Sequence, residues 1–198
     1  MEQTKNKQSL LFKLLPISLC LAIIILDQLT KCLIVAFLPR TNPVTGEGVI
    51  NVIGDFFRII HVRNPAVAFS IGHNLPFTAR KILFSIIPLI VIILVFVIYF
   101  RNNDFTKLQR WSISGILGGG LGNLIDRFFR PAGVVDFLDF KWFGLTNSKI
   151  NFLSWERWPT FNVADMGVVI CGIIFVISFI VIVARDSKKQ KAEKKENS

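Results

Sequence analysis

The chain has 198 residues, 52% of them hydrophobic and 18% charged, with a mean hydropathy of +0.55. That composition excludes an ordinary soluble domain of this length and points to a chain that lives in lipid. The formal net charge of +10 is gathered at the two ends and in one short connection, which argues against a nucleic-acid partner and for a membrane topology signal.

In chain order, Lys5, Lys7 and Lys13 lead into a first apolar segment over residues 14–38, long enough to cross about 30 Å of hydrocarbon as a helix. It is longer than a secretory signal core and no small-x-small site follows it, so it reads as a retained helix. The residues before Cys20 are Ile17-Ser18-Leu19, so the chain does not read as a lipoprotein precursor itself. Asp27 and Lys31 lie within this segment, four residues apart and so on one helical face. An intramembrane pair that fixes helix packing, well below the outer helix ends, is the reading we take.

The next stretch, 39–81, carries two β-rich runs, Val49 to Ile53 and Phe56 to Val62, around Gly54-Asp55: a hairpin signal. A second span follows over 82–100, uncharged throughout, with Pro88 expected as a mild kink. Arg101, Lys107 and Arg110 crowd the connection to a third span, 111–129, in which Gly118-Gly119-Gly120 invites close backbone approach. Asp126 sits beside Arg127 near its end, where a local salt bridge is the default expectation. The segment 131–160 is rich in Phe and Trp, including Trp142, Phe143, Phe152, Trp155 and Trp158, and suits the headgroup level. A fourth span covers 163–184 and a basic tail covers 185–198. The tail is expected to be solvated and disordered.

The expected fold is therefore membrane α-helical: four transmembrane helices with a small extracytoplasmic β-rich segment between helices 1 and 2, forming a single domain over residues 1–184. The basic segments all fall on one side, so both termini are expected in the cytoplasm, with 39–80 and 131–160 outside. Cys20, Cys32 and Cys171 sit in apolar spans and read as buried packing residues. With His61 and His73 the only histidines and no HExxH or CxxC pattern, nothing points to a metal.

The topology brings the ends of spans three and four to one membrane level with carboxylates on both. Two carboxyl groups that share a proton can serve as base toward a water and acid toward a carbonyl, the aspartic protease arrangement. Spacing alone leaves open whether Asp126, Asp136 or Asp139 partners Asp165. A small proton-coupled carrier fits less well, because the acids cluster at one face and no inverted repeat appears; a non-catalytic scaffold remains as the other alternative.

The ordered motifs Asp27-Gln28-Leu29-Thr30-Lys31, Arg63 to Ser70, Gly122 to Arg127, Val134-Val135-Asp136-Phe137 and Phe161 to Asp165 resemble those of lipoprotein signal peptidases. The resemblance implies a membrane-embedded aspartic endopeptidase of the bacterial inner membrane with its site near the outer face. It implies Asp136 and Asp165 as the catalytic pair, substrate-binding roles for Asn64, Asn123, Arg127 and Asn162, and a supporting role for Asp27 and Lys31. The implied partners are diacylated prolipoproteins among membrane lipids, cut on the amino side of the lipidated cysteine by a monomer with no cofactor. Two departures stand out: Ala66 replaces a glycine of the family's Asn-x-Gly-x-Ala-Phe pattern, and the stretch from Asp139 to Thr160 is longer than the family's connection.

Overall fold

The computed structural model describes residues 8–65, 76, 78–79, 82–141 and 156–196. Ala66, His73 and the aromatics Trp142, Phe143, Phe152 and Trp155 lie outside the described residues. A one-turn helix α1 (Leu10–Leu14) leads through Pro16 into α2 (Ile17–Phe37). Strands β1 (Val49–Ile53) and β2 (Phe57–Asn64) follow, then helix α3 (Ile87–Arg101), α4 (Lys107–Phe129), β3 (Val134–Phe140) and α5 (Val163–Glu196).

Three helical stretches, Leu10–Phe37, Ile82–Arg101 and Val163–Ala192, are long and apolar enough to cross a membrane. Helix α4 is too polar to be among them, and it forms the packed centre of the bundle. Twelve of its 23 residues are buried, Gln109, Arg110, Ser112, Ser114 and Asp126 included, so its polar side chains meet protein and not lipid. Its small residues make this packing possible. A Cβ on Gly118 would sit 2.8 Å from the Cys20 carbonyl oxygen, and one on Gly119 would overlap that of Ala164. Helices α2 and α5 therefore lie almost backbone to backbone against α4.

In the second span, Pro88 falls where the helix changes type. Residues Ile82–Ile86 form a π-helical turn and Pro88 stands in the first turn of α3. Proline has no N–H to donate, and placing it at a helix start removes a bond that would be unmade anyway. At the other end of α3, Arg110 is fully buried, donates to the carbonyls of Tyr99 (2.9 Å) and Asn102 (2.8 Å), and lies over the rings of Phe12, Tyr99 and Phe105. Lys13 Nζ donates to the Phe100 carbonyl at 2.6 Å. These contacts pin α1 and the α3–α4 connection together.

The sheet is antiparallel, ordered β1-β2-β3. The hairpin lies where the sequence puts it, but the sheet is not confined to the segment between helices 1 and 2. Its third strand comes from the segment after α4, pairing Val62 with Asp136 and Asn64 with Val134. The basic tail also differs from expectation: α5 runs on to Glu196. Lys, Ala, Gln and Glu are good helix formers, and lysines near a helix C-terminus suit its dipole. Cys20 and Cys171 are buried as expected, whereas Cys32 is exposed on the side of α2.

Candidate active site

Helix α5 begins at a reciprocal cap. The Asn162 side-chain oxygen accepts from the Asp165 N–H (3.0 Å) and Asp165 Oδ2 accepts from the Asn162 N–H (3.1 Å). Phe161 exchanges backbone hydrogen bonds with Leu138, which ties the start of α5 to β3 and lays Asn162 beside Asp136. The Asn162 amide then donates to Asp136 Oδ1 at 2.7 Å and to Asn123 Oδ1 at 3.0 Å. Asn123 of α4 donates to Asp165 Oδ1 at 2.7 Å. Asp136 and Asp165 are thus joined through Asn162 and Asn123, while Asn64 at the end of β2 donates to the other oxygen of Asp136 at 3.1 Å.

Asp136 is 4% exposed. Burial first, and then the nearby Asp165 carboxylate, push its carboxyl up to about 7 against the opposing pull of Asn64, Asn162 and Lys31. Neither Asp136 nor Asp165 forms an ion pair among the described residues. The other two acids differ in kind. Asp139 is clamped by Arg58 (2.7 Å) and Arg157 (2.8 Å). Asp126 meets Lys31 (3.2 Å) and Arg130 (3.1 Å), and its Oδ2 also accepts from the Val135 N–H at 3.0 Å. Its partner is therefore Arg130 and not Arg127. Residues four apart share a helix face and neighbours in sequence do not.

Asp27 and Lys31 are paired at 2.8 Å, both fully buried. Against the expectation that they lie well below the outer helix ends, they reach residues of the Asp136–Asp165 network. Lys31 Nζ donates to Asn123 Oδ1 (3.0 Å), and Asp27 Oδ1 accepts from the Ala164 N–H (2.9 Å) in the first turn of α5. Gln28, to which the sequence reading gave no role, donates to Gly122 O (3.0 Å) and Asp126 Oδ1 (3.1 Å). A polar side chain next to Asp27 in an apolar span was the available signal. Asp27, Lys31, Asp126 and Arg130 form a charge-balanced set that locks α2, α4 and the entry to β3.

A cavity of about 370 Å³ opens beside Asn64 and is walled by Phe84, Arg127, Phe128 and Gly133. The Arg127 guanidinium lies over the Phe84 ring at 5.8 Å. Gly133 has φ +95°, and a Cβ there would overlap the Asn64 carbonyl. Glycine is therefore required to bring β3 in at this angle. The cavity combines phenylalanine rings with a cationic wall and adjoins Asn64, whose amide donates to Asp136.

The sequence model of the family described as signal peptidase (SPase) II matches residues 19–181. A lipoprotein signal peptidase of Treponema pallidum is 45% identical over 168 residues, covering 85% of this chain and 84% of that one. One from Treponema denticola is 46% identical over 159 residues, covering 80% and 84%. One from Borrelia duttonii is 42% identical over 172 residues, covering 87% and 91%. A solved structure described as a bacterial membrane enzyme superposes with a TM-score of 0.68 at 26% identity, covering 86% of this chain and 90% of its own. The chain belongs to the signal peptidase II family, the membrane-embedded lipoprotein signal peptidases.

Proposed function

We propose that this peptidase is an aspartic endopeptidase in which Asp136 and Asp165 form the catalytic dyad, removing signal peptides from diacylglyceryl-modified prolipoproteins on the amino side of the lipidated cysteine. One observation carries the reading. Of the four acids gathered near the outer helix ends, Asp126 and Asp139 are neutralised by arginine or lysine, whereas Asp136 and Asp165 are held by amides and leave their charge and proton available. Asp165 stands in the first turn of α5. Asp136, raised to about 7, is the carboxyl able to hold the shared proton up to near-neutral pH.

In this scheme a water between the carboxyl groups gives its proton to Asp165 as its oxygen bonds to the scissile carbonyl carbon. Asp136 gives its proton to the carbonyl oxygen. Collapse of the tetrahedral intermediate returns that proton to Asp136, and the proton on Asp165 passes to the leaving nitrogen as the C–N bond breaks. Asn64, Asn123 and Asn162 orient the pair, and Arg127 on the cavity wall engages polar backbone of the substrate. The apolar wall at Phe84 and Phe128 suits a signal helix or acyl chain entering from lipid.

In this reading α4 is the central one of four membrane helices, the dyad lies at the outer face of the bacterial inner membrane and both termini lie inside; the basic ends support that orientation. The test is a mobility-shift assay with a diacylated precursor. Asp136→Asn and Asp165→Asn should each stop cleavage while the protein still elutes as a folded species. Retained cleavage in either variant sinks the dyad.

A further inference from the structure

Before entering α5 the chain comes back along β3. Arg157 stands opposite Lys141 and Phe161 opposite Leu138, both antiparallel. The Trp158 N–H donates to the Phe140 carbonyl at 2.9 Å and the Phe161 N–H to the Leu138 carbonyl at 3.1 Å. From Leu138 to Lys141 is three residue steps and from Phe161 back to Arg157 is four, so the returning segment bulges by one residue between the two bridges. Pro159 lies in that stretch and has no N–H to give to a ladder. Asn162 follows directly and Asp165 opens α5, so the hold on this short segment is also a hold on half of the dyad.

Where a bulge interrupts the backbone ladder, side chains supply the tie. Arg157 uses all three of its nitrogens. Nε donates to both Asp139 oxygens (2.9 and 2.8 Å), Nη1 donates to Asp55 Oδ1 at 3.0 Å and Nη2 to the Asp55 carbonyl at 3.0 Å. One planar guanidinium therefore joins the returning segment both to β3 and to the turn between β1 and β2. Asp139 is 2% exposed, so the bond to it is shielded from water and salt, unlike the contact with exposed Asp55. Arg58, the cross-strand partner of Asp139 on β2, holds the same carboxylate at 2.7 Å. Asp136, on β3, takes its amide donors from the same two neighbours of that strand: Asn64 at the end of β2 and Asn162 after the returning segment.

We infer that Arg157 is a positioning residue for the dyad, an inference that rests on the Asp136–Asp165 reading above. Its grip on Asp139 and on the hairpin turn sets where the chain enters α5, and with it the placement of Asn162 and Asp165 against Asp136. Its bonds go to Asp139 and Asp55 and not to the dyad, so it acts through the segment it anchors.

The test is the initial rate of the full chain in detergent micelles on a diacylated precursor, at several precursor concentrations and pH values. Arg157→Gln should fold, because Arg58 still neutralises Asp139. Its kcat should fall between about 10- and 100-fold, the scale expected when reacting groups are displaced by about 1 Å, while KM stays within about twofold of native. The alkaline limb of its kcat profile should move to lower pH, because an Asp165 carboxylate drawn away from Asp136 raises it less. Lys31 and Arg127, the cations that act on Asp136, are untouched by the change. Arg157→Lys keeps a cation on Asp139 and loses the reach to Asp55, so its kcat should lie between those of the native chain and Arg157→Gln. Lys141→Gln removes a charge from the same cluster at exposed Asp55 and should keep native kcat. Native kcat in Arg157→Gln or Arg157→Lys, a loss confined to KM, or an equal loss in Lys141→Gln overturns the positioning role. Asp136→Asn is assayed beside them. If it is inactive while Arg157→Gln keeps native kcat, the dyad stands and the role of Arg157 alone falls; if it cleaves, both fall.

Discussion

Asp136 is where burial has most to say. An unfolded aspartate titrates near 3.8 and the folded one near 7, so between these values the folded state binds more protons. Stability is then greatest below the lower value and falls as pH rises through about 7. The full loss is on the order of 4 kcal/mol. Asp136→Asn removes it. The variant should melt above the native protein at about pH 8, and the gap should close on acidification toward pH 4. A lower melting point for the variant at both pH values would contradict the raised carboxyl. Cleavage by the native protein should decline above about pH 7 as Asp136 loses its proton. Lys31 sets a contrasting case. Lys31→Met would leave Asp27 and Asp126 facing each other in the core, at a cost of about 3–5 kcal/mol. Asp27→Asn should cost less, because Lys31 keeps Asp126 at 3.2 Å and an asparagine oxygen can still accept from Ala164. The yields of monodisperse protein should fall in that order, and the reverse order would show that Lys31 is not the hub.

Between elements, the glycines of α4 decide how closely the helices meet. Gly119→Ala should improve helix propensity by about 1 kcal/mol in isolation, yet its methyl would overlap the Ala164 carbonyl. Displacing that first turn of α5 moves Asn162 and Asp165 together. We expect the variant to lose both thermal stability and cleavage, while Gly120→Ala, which meets the flexible Ile92 side chain at 3.2 Å, keeps most of each. Equal behaviour of the two would mean that the α4–α5 contact does not position the site. Much of this level was legible beforehand. Charge-free runs marked two of the helices, the Gly54 turn marked the hairpin, and the i,i+4 spacing marked Asp27 with Lys31. What was not legible needed long-range pairing. Nothing local says that β3 joins a sheet begun some 70 residues earlier, nor that Asp126 reaches across to Lys31. Choosing Asp136 over Asp126 and Asp139 from the residues alone needed knowledge of which acids already had cations, and of those cations Arg58, Arg157 and Lys31 come from elsewhere in the chain, with only Arg130 one turn from its acid.

At the scale of the molecule, the proposed orientation rests on an even number of crossings, and α4 decides that number. Its low apolar content would be a poor fit to lipid if it stood alone. It is instead wrapped by α2, α3 and α5, which present exposed Leu, Ile, Val and Phe outward. A polar central helix sheathed by three apolar ones can cross a bilayer because lipid meets only the sheath. With α4 crossing, the termini share one side and the sheet faces the other. A background in which Cys20, Cys32 and Cys171 are replaced by serine or alanine permits a direct measurement. A thiol introduced at Val44, 90% exposed in the loop before β1, should react with a membrane-impermeant maleimide in intact cells. One introduced at exposed Lys188 beyond the apolar part of α5 should react only after the membrane is opened. If both positions label from outside, α4 or another helix fails to cross, and the proposed outer-face location of the dyad falls with it.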